Sequence, residues 1–162
     1  MAKKYRWYVL RVRLGSEELV ISGLRRLGIE VFLPSKSSRI SRQSEDSHIF
    51  ARFSLANQRN VFLVPGVLGL VGVPSPVPVP DHDVANLKAA TEAGMRMKIL
   101  TMVNEPVRGR ITKGPLSGHA GNFIEHRGTW NLVVRIEDLE CTLAFQLPQS
   151  SLDIFPKHTH WT

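Results

Sequence analysis

Residues 5–34 read YRWYVLRVRLGSEELVISGLRRLGIEVFLP, and their pattern changes twice. Residues 5–12 are rich in aromatic and β-branched side chains, with Arg6 and Arg11 among them and Arg13 just beyond, which predicts a strand. Side chains alternate across a strand, so Trp7, Val9 and Arg11 share one face and Tyr8, Leu10 and Val12 the other. Ser16 then stands as a helix N-cap. Glu17 and Glu18 fall in the first turn, where the helix dipole favours acids. Val20, Leu24 and Leu27 are spaced four and three residues apart and form one apolar stripe, and Gly28 supplies the stop. Residues 29–33 return to strand character and Pro34 ends it. Strand, helix and strand in close succession mark the first half as α+β.

The pattern continues outward. Residues 35–47 are polar, carry Lys36, Arg39 and Arg42, and read as a mobile basic loop. Residues 48–54 form a third strand with Ile49, Ala51 and Phe53 on one face and Phe50 on the other. Residues 57–64 predict a short helix stopped by Pro65-Gly66, and residues 67–73 a fourth strand. Residues 74–80 alternate Pro with Val or Ser and read as an extended connector. Asp81 caps a last helix carrying Val84, Leu87 and Ala90, stopped by Gly94. Beyond a linker the chain shows short strands only, at 107–112, 120–125, 131–137, 142–147 and 152–155. Turn signals at 113–118 and at Arg127-Gly128 separate them, which predicts a small all-β barrel. The expected division is a first domain over 1–97, a linker over 98–105 and a second domain over 106–162.

Charge follows the same division. The chain carries a net +7, of which residues 1–97 hold +6 and residues 98–162 hold +1. A basic balance favours a polyanionic partner, and this asymmetry assigns it to the first half. A lone cysteine, Cys141, makes an intramolecular disulfide impossible and fits a reducing compartment. The start shows no secretory pattern, and the most apolar run, 61–73, is too short and too interrupted for a membrane span. A cytoplasmic, monomeric protein is expected, with no cofactor and no membrane partner.

Taken together, the order and spacing of certain pieces resemble the NusG family. In the first half these are Trp7-Tyr8, the helix ending at Gly28, Glu30-Val31-Phe32-Leu33-Pro34, the strand at 49–53, Val64-Pro65-Gly66-Val67 with Val71-Gly72, and Val79-Pro80-Asp81. In the second half they are 109–112, Gly114-Pro115-Leu116 through Gly121, and 132–136, which look like a KOW motif. The resemblance covers nearly the whole chain. It implies an N-terminal NGN domain, a four-stranded antiparallel sheet flanked by helices, followed by a small SH3-like KOW barrel. It also implies a non-enzymatic transcription elongation and antitermination factor that binds the coiled-coil clamp of the RNA polymerase largest subunit through an apolar concavity. The non-template DNA strand is its nucleic-acid partner, and Rho or a small-subunit ribosomal protein docks on the KOW domain.

Departures from the family pattern point to a specialised paralog of the RfaH or polysaccharide-operon type. Glu45-Asp46-Ser47-His48 stands where the family carries Phe-Pro-Gly-Tyr, Leu116 replaces a Phe, and Leu139-Glu140-Cys141 replaces a turn with Gly and Arg. The β-branched strands at 107–111 and 132–136 predict a KOW domain that stays β. The rival reading is a ribosome-associated or rRNA-binding KOW protein, which a nearly neutral second half disfavours.

The resemblance assigns candidate sites, each with an ordinary structural alternative beside it. Trp7, Tyr8, Phe32, Phe50, Phe62 and Pro65 are candidates for the polymerase contact, with core packing as the alternative. Helices covering one face of the sheet should leave the other, with Phe50, partly open, and the resemblance assigns Tyr8, Phe50 and Phe62 to the pocket there, with Pro65 at its rim. Arg11, Arg13, Gln58, Arg59 and Asn60 are candidates for DNA contact, since amides reach base edges and guanidinium groups meet phosphates. Arg39, Arg42 and Arg52 join them as further basic candidates, and a solvated face is the alternative. Gly114, Pro115, Leu116, Gly118 and Gly121 are the candidate KOW partner site, with Leu116 at its tip. His158 and His160 have metal-like spacing but no third ligand, and with Trp161 they read as a frayed tail. No constellation of catalytic residues is evident.

Overall fold

The computed structural model describes residues 4–34, 46–101, 103–148 and 151–155. The basic loop residues Lys36, Arg39 and Arg42, and the terminal His158, His160 and Trp161, lie outside them. The first strand is β1 (Arg6–Val12), followed by α1 (Glu17–Arg26), β2 (Glu30–Phe32) and β3 (Ser47–Phe53). A single 3-10 turn leads into α2 (Gln58–Phe62), then β4 (Val67–Leu70) and α3 (Asp81–Glu92). β1 to β4 make one antiparallel sheet in the order β2-β3-β1-β4.

The alternation read from the sequence sorts this sheet into two faces. Tyr8, Leu10, Val12, Ile49, Ala51 and Phe53 pack with Val20 and Leu24 of α1 and Val61 and Val64 around α2. α1 forms as expected: acids in its first turn, Arg25 and Arg26 in its last, and Gly28 beyond it at φ +76°. Two details differ. The Ser16 side chain makes no capping bond, and Leu27 is the C-cap, 48% exposed rather than part of the stripe. At the other helix the N-cap is Pro80, so Asp81 is the first helical residue rather than the cap. A proline there costs nothing, because its missing N–H would have had no partner in the helix.

The opposite face, with Trp7, Val9 and Phe50, was expected to stand partly open. It is covered. Val84, Leu87 and Ala90 of α3 lie on it, and the same buried cluster continues into the second half through Ile111, Leu116, Phe123 and Leu132.

The second half contains β5 (Met97–Leu100), β6 (Val107–Ile111), β7 (Ala120–His126), β8 (Thr129–Ile136), β9 (Cys141–Leu147) and β10 (Leu152–Ile154). They form an antiparallel sheet in the order β10-β6-β7-β8-β9-β5. Four of the strands follow one another as a meander, the all-β unit the sequence predicted. β5 is the surprise: Met97–Leu100, which runs from the last residue assigned to the first domain into the stretch read as linker, pairs along its length with β9. A strand of four residues without flanking turn signals carries no local signature, and its partner lies far along the chain.

His48 stands near the start of β3, opposite Arg11 of β1. Its ring is fully buried and neither nitrogen has a hydrogen-bond partner among the described residues. Burial, together with the nearby Arg11 charge, holds its pKa below the usual imidazole range, against the pull of Asp46. A depressed folded pKa means the neutral ring contributes stability above about pH 6.5, the unfolded value, and that contribution is lost as pH falls through the folded value. The urea midpoint of the protein is therefore expected to drop between pH 7 and pH 5. His48→Leu should flatten that dependence, and an unchanged pH profile in the variant would contradict this account.

Candidate functional site

The candidate residues of the first half fall into two settings. Trp7, Phe32 and Phe50 belong to the covered face. Phe32 lies directly across from Phe50 in the β2–β3 register, their rings edge to face at 6.0 Å. α3 closes over them: the Lys88 ammonium stands 4.7 Å above the Trp7 ring and pairs with Glu30 at 2.7 Å. Thr91 Oγ1 lies 3.0 Å from the carbonyl oxygen of Pro34 and 2.8 Å from that of Leu87, so its one proton is shared between the end of β2 and its own helix.

Tyr8 does not join them. Its ring packs against Phe53 at 5.2 Å on the opposite face, 5% exposed beneath α1. The grouping of Tyr8 with Phe50 and Phe62 is thus corrected: Tyr8 and Phe50 are on opposite sides of one sheet, as β-alternation requires.

Phe62 and Pro65 are exposed on the segment that ends α2. Two exposed neighbours stand beside them that were not among the sequence candidates. Leu63 is 74% exposed and Leu68 41%. The signal was present: Val61 and Val64, three apart, fill the buried stripe of this short helix, so Phe62 and Leu63 between them must face outward. Four exposed apolar side chains within seven residues make a patch of the kind that marks interaction surfaces.

Among the basic candidates, Arg13, Arg59, Gln58 and Asn60 are exposed, the last three on consecutive positions of α2. Arg11 is exposed too, but its Nη1 pairs with Asp46 at 3.1 Å and its guanidinium lies over Gly69, so it is partly committed within the domain. Arg52 is half-buried on the strand that carries Phe53.

In the second half, Gly114 and Gly118 adopt φ of +89° and +93° in the turn between β6 and β7, the left-handed region where glycine is at no disadvantage. Pro115 is exposed. Leu116, expected at the tip of this turn, is 2% exposed and belongs to the core shared with Trp7 and Phe50. Gly121 has a different reason to be glycine. A Cβ there would come within 2.8 Å of Asn86 Nδ2 and 3.0 Å of Leu132, so it allows α3 to approach β7 closely.

That approach is fastened by polar contacts. Asn86 is 2% exposed; its Nδ2 donates to the carbonyl of Ala120 at 3.0 Å, and its Oδ1 lies 2.9 Å from His119 Nδ1. The backbone N–H of Val77 donates to Asp138 Oδ2 at 2.7 Å. Asp83, on the same helix as Asn86, has its pKa raised by burial, partly offset by His82 and by Arg108 of β6. Among the described residues no group of three or more His, Cys, Asp or Glu side chains could hold a metal ion, and no helix is long and apolar enough to cross a membrane.

Comparison with known proteins now bears on this geometry. A family model described as transcription termination factor NusG matches residues 5–88, which span the whole first sheet and most of α3. No curated protein sequence matches. Among solved structures, one titled for domain interaction in Thermotoga maritima NusG is 22% identical, with a TM-score of 0.46, covering 93% of this chain and 97% of that one. An MjSpt4:Spt5 complex, conformation A, is 16% identical with a TM-score of 0.31, covering 94% of this chain and 99% of that one. The family match extends over more than half of the chain and coincides with the unit that carries both the apolar patch and the covered face, and the chain belongs to the NusG family of transcription factors.

Proposed function

We propose that this protein is a transcription elongation and antitermination factor that binds the clamp of the RNA polymerase largest subunit and suppresses pausing and termination on selected operons. The observation that carries the reading is the family match over residues 5–88, on a domain that leaves Phe62, Leu63, Pro65 and Leu68 exposed on one segment. These four form the accessible part of the polymerase contact. Trp7, Phe32 and Phe50 form its deeper part and are reached only when α3 and the second domain move off the sheet. Tyr8 supports the sheet from the other side.

Arg13, Gln58, Arg59 and Asn60 meet the non-template DNA strand, with Arg11 contributing once released from Asp46. The turn with Gly114, Pro115 and Gly118, and Leu116 once uncovered, receives Rho or a small-subunit ribosomal protein. No covalent chemistry is involved. Binding shifts polymerase toward its moving state by preferring that state.

In a purified bacterial transcription system, the protein is expected to shorten pauses and raise read-through at a terminator. Phe62→Ala with Leu63→Ala should abolish both effects. Pausing and read-through that stay the same with and without the protein would contradict the proposal.

A further inference from the structure

The second half of the chain is nearly neutral overall, but its cations are not evenly placed. Arg96, just before β5 and the last cation of residues 1–97, lines one open groove with Lys98 of β5, His126 and Arg127 of the β7–β8 hairpin, Thr129 and Asn131. Among the described residues no carboxylate lines it. Arg96, Lys98 and Arg127 are exposed and make no ion pair among the described residues, whereas Arg135 on the same sheet lies near Glu137.

Two features make the groove more than scattered surface charge. β5 is an edge strand, and a lysine on an edge ordinarily serves to block unwanted strand pairing. That accounts for Lys98 but not for Arg127, which arrives from a different hairpin. Arg127 and Gly128 are both left-handed, at φ +52° and +78°, the geometry of a tight two-residue hairpin turn. A non-glycine residue held in that region fixes where its side chain starts. Arg96 and Lys98 are two residues apart along the chain, about 7 Å in an extended strand, so each can meet a separate anionic group.

We propose that this groove binds the backbone of a single-stranded nucleic acid. Arg96, Lys98 and Arg127 meet successive phosphates. The imidazole of His126, the hydroxyl of Thr129 and the unpaired edge of β5 are left for sugar and base. The site is separate from the DNA-contact residues on β1 and α2, and it needs no polymerase. Two of its three cations, Lys98 and Arg127, lie in the half of the chain whose net charge alone argued against polyanion binding.

The test is fluorescence anisotropy with the full-length protein and a labelled oligonucleotide of about 20 nucleotides, as RNA and as DNA of the same sequence, over a range of salt. The variant combines Arg96→Gln, Lys98→Gln and Arg127→Asn, the last because asparagine tolerates left-handed φ. Its circular dichroism should match wild type, since all three side chains are exposed. Affinity is expected to fall at least about tenfold, and the slope of log K against log salt to shrink by about 2, at roughly 0.7 per lost phosphate contact. Arg25→Gln with Arg26→Gln, exposed in the last turn of α1 in the first domain, should leave the oligonucleotide affinity within about twofold. Wild-type affinity in the groove variant, or loss only in the first-domain variant, would overturn the proposal. So would displacement of the oligonucleotide by polyglutamate as effectively as by unlabelled RNA at equal charge, which would assign the groove to acidic peptides.

Discussion

Phe50→Ala is expected to lower stability by about 3–5 kcal/mol, measured as a shift in the urea unfolding midpoint. Phe50 is completely buried in the middle of β3, flanked by Val9 on β1 and Phe32 on β2. Its ring lies where the sheet, α3 and the second half share one core, so the cavity left behind has walls on several elements and cannot close by moving one of them. The lost edge-to-face contact with Phe32 accounts for about 0.5–1.5 kcal/mol beyond area burial. Phe62→Ala is the contrasting case. Phe62 is 41% exposed, so its removal should change stability by no more than about 0.5 kcal/mol, while weakening polymerase binding. The pair separates a core aromatic from an interface aromatic within one domain. Equal destabilisation by the two substitutions would contradict the packing described here.

The second large effect concerns the fastening between the two halves. Asn86→Lys places an ammonium where Asn86 is 2% exposed, beside His119 and the carbonyl of Ala120, and removes the bond that His119 Nδ1 makes. A buried unpaired charge is costly, and the least costly relief is for α3 and β7 to part. With the second half no longer holding α3 down, α3 leaves the sheet more often, and in those molecules Trp7 and Phe50 become accessible. If polymerase uses that face, the closed arrangement reduces apparent affinity by the fraction of molecules that are open, and loosening it removes the reduction. Asn86→Lys is therefore expected to bind polymerase at least about tenfold more tightly than wild type. A shift of tryptophan emission to longer wavelength should accompany it, because Trp7 is only 4% exposed in the closed form. Unchanged affinity with a red-shifted spectrum would mean that the Trp7 face takes no part in binding.

What could be read from the sequence was whatever leaves a local period. The alternation of Trp7 and Val9 against Tyr8, Leu10 and Val12 named both faces of the sheet correctly, as did Phe50 against Ile49, Ala51 and Phe53. The stripe of Val84, Leu87 and Ala90 named the buried side of α3. A period says that a face is apolar, but not what covers it. Hence the face under α3 was expected to stand open, and Leu116, apolar in a glycine-rich turn, was expected at a tip although it is buried in the shared core. β5 escaped for a similar reason, because its four residues acquire meaning only from β9. Leu63 was legible and missed: once Val61 and Val64 are placed inside, the residues between them have nowhere to go but out.

The central claim, that this member of the NusG family acts on RNA polymerase through its first domain, is tested most directly by one binding measurement. The full-length protein and its Asn86→Lys variant would each be titrated against purified bacterial RNA polymerase with an intact clamp coiled coil and with that coiled coil deleted. The account predicts binding that depends on the coiled coil, tighter in the variant and lost on Phe62→Ala with Leu63→Ala. Binding indifferent to the coiled coil in both proteins, or no binding in either, would contradict it.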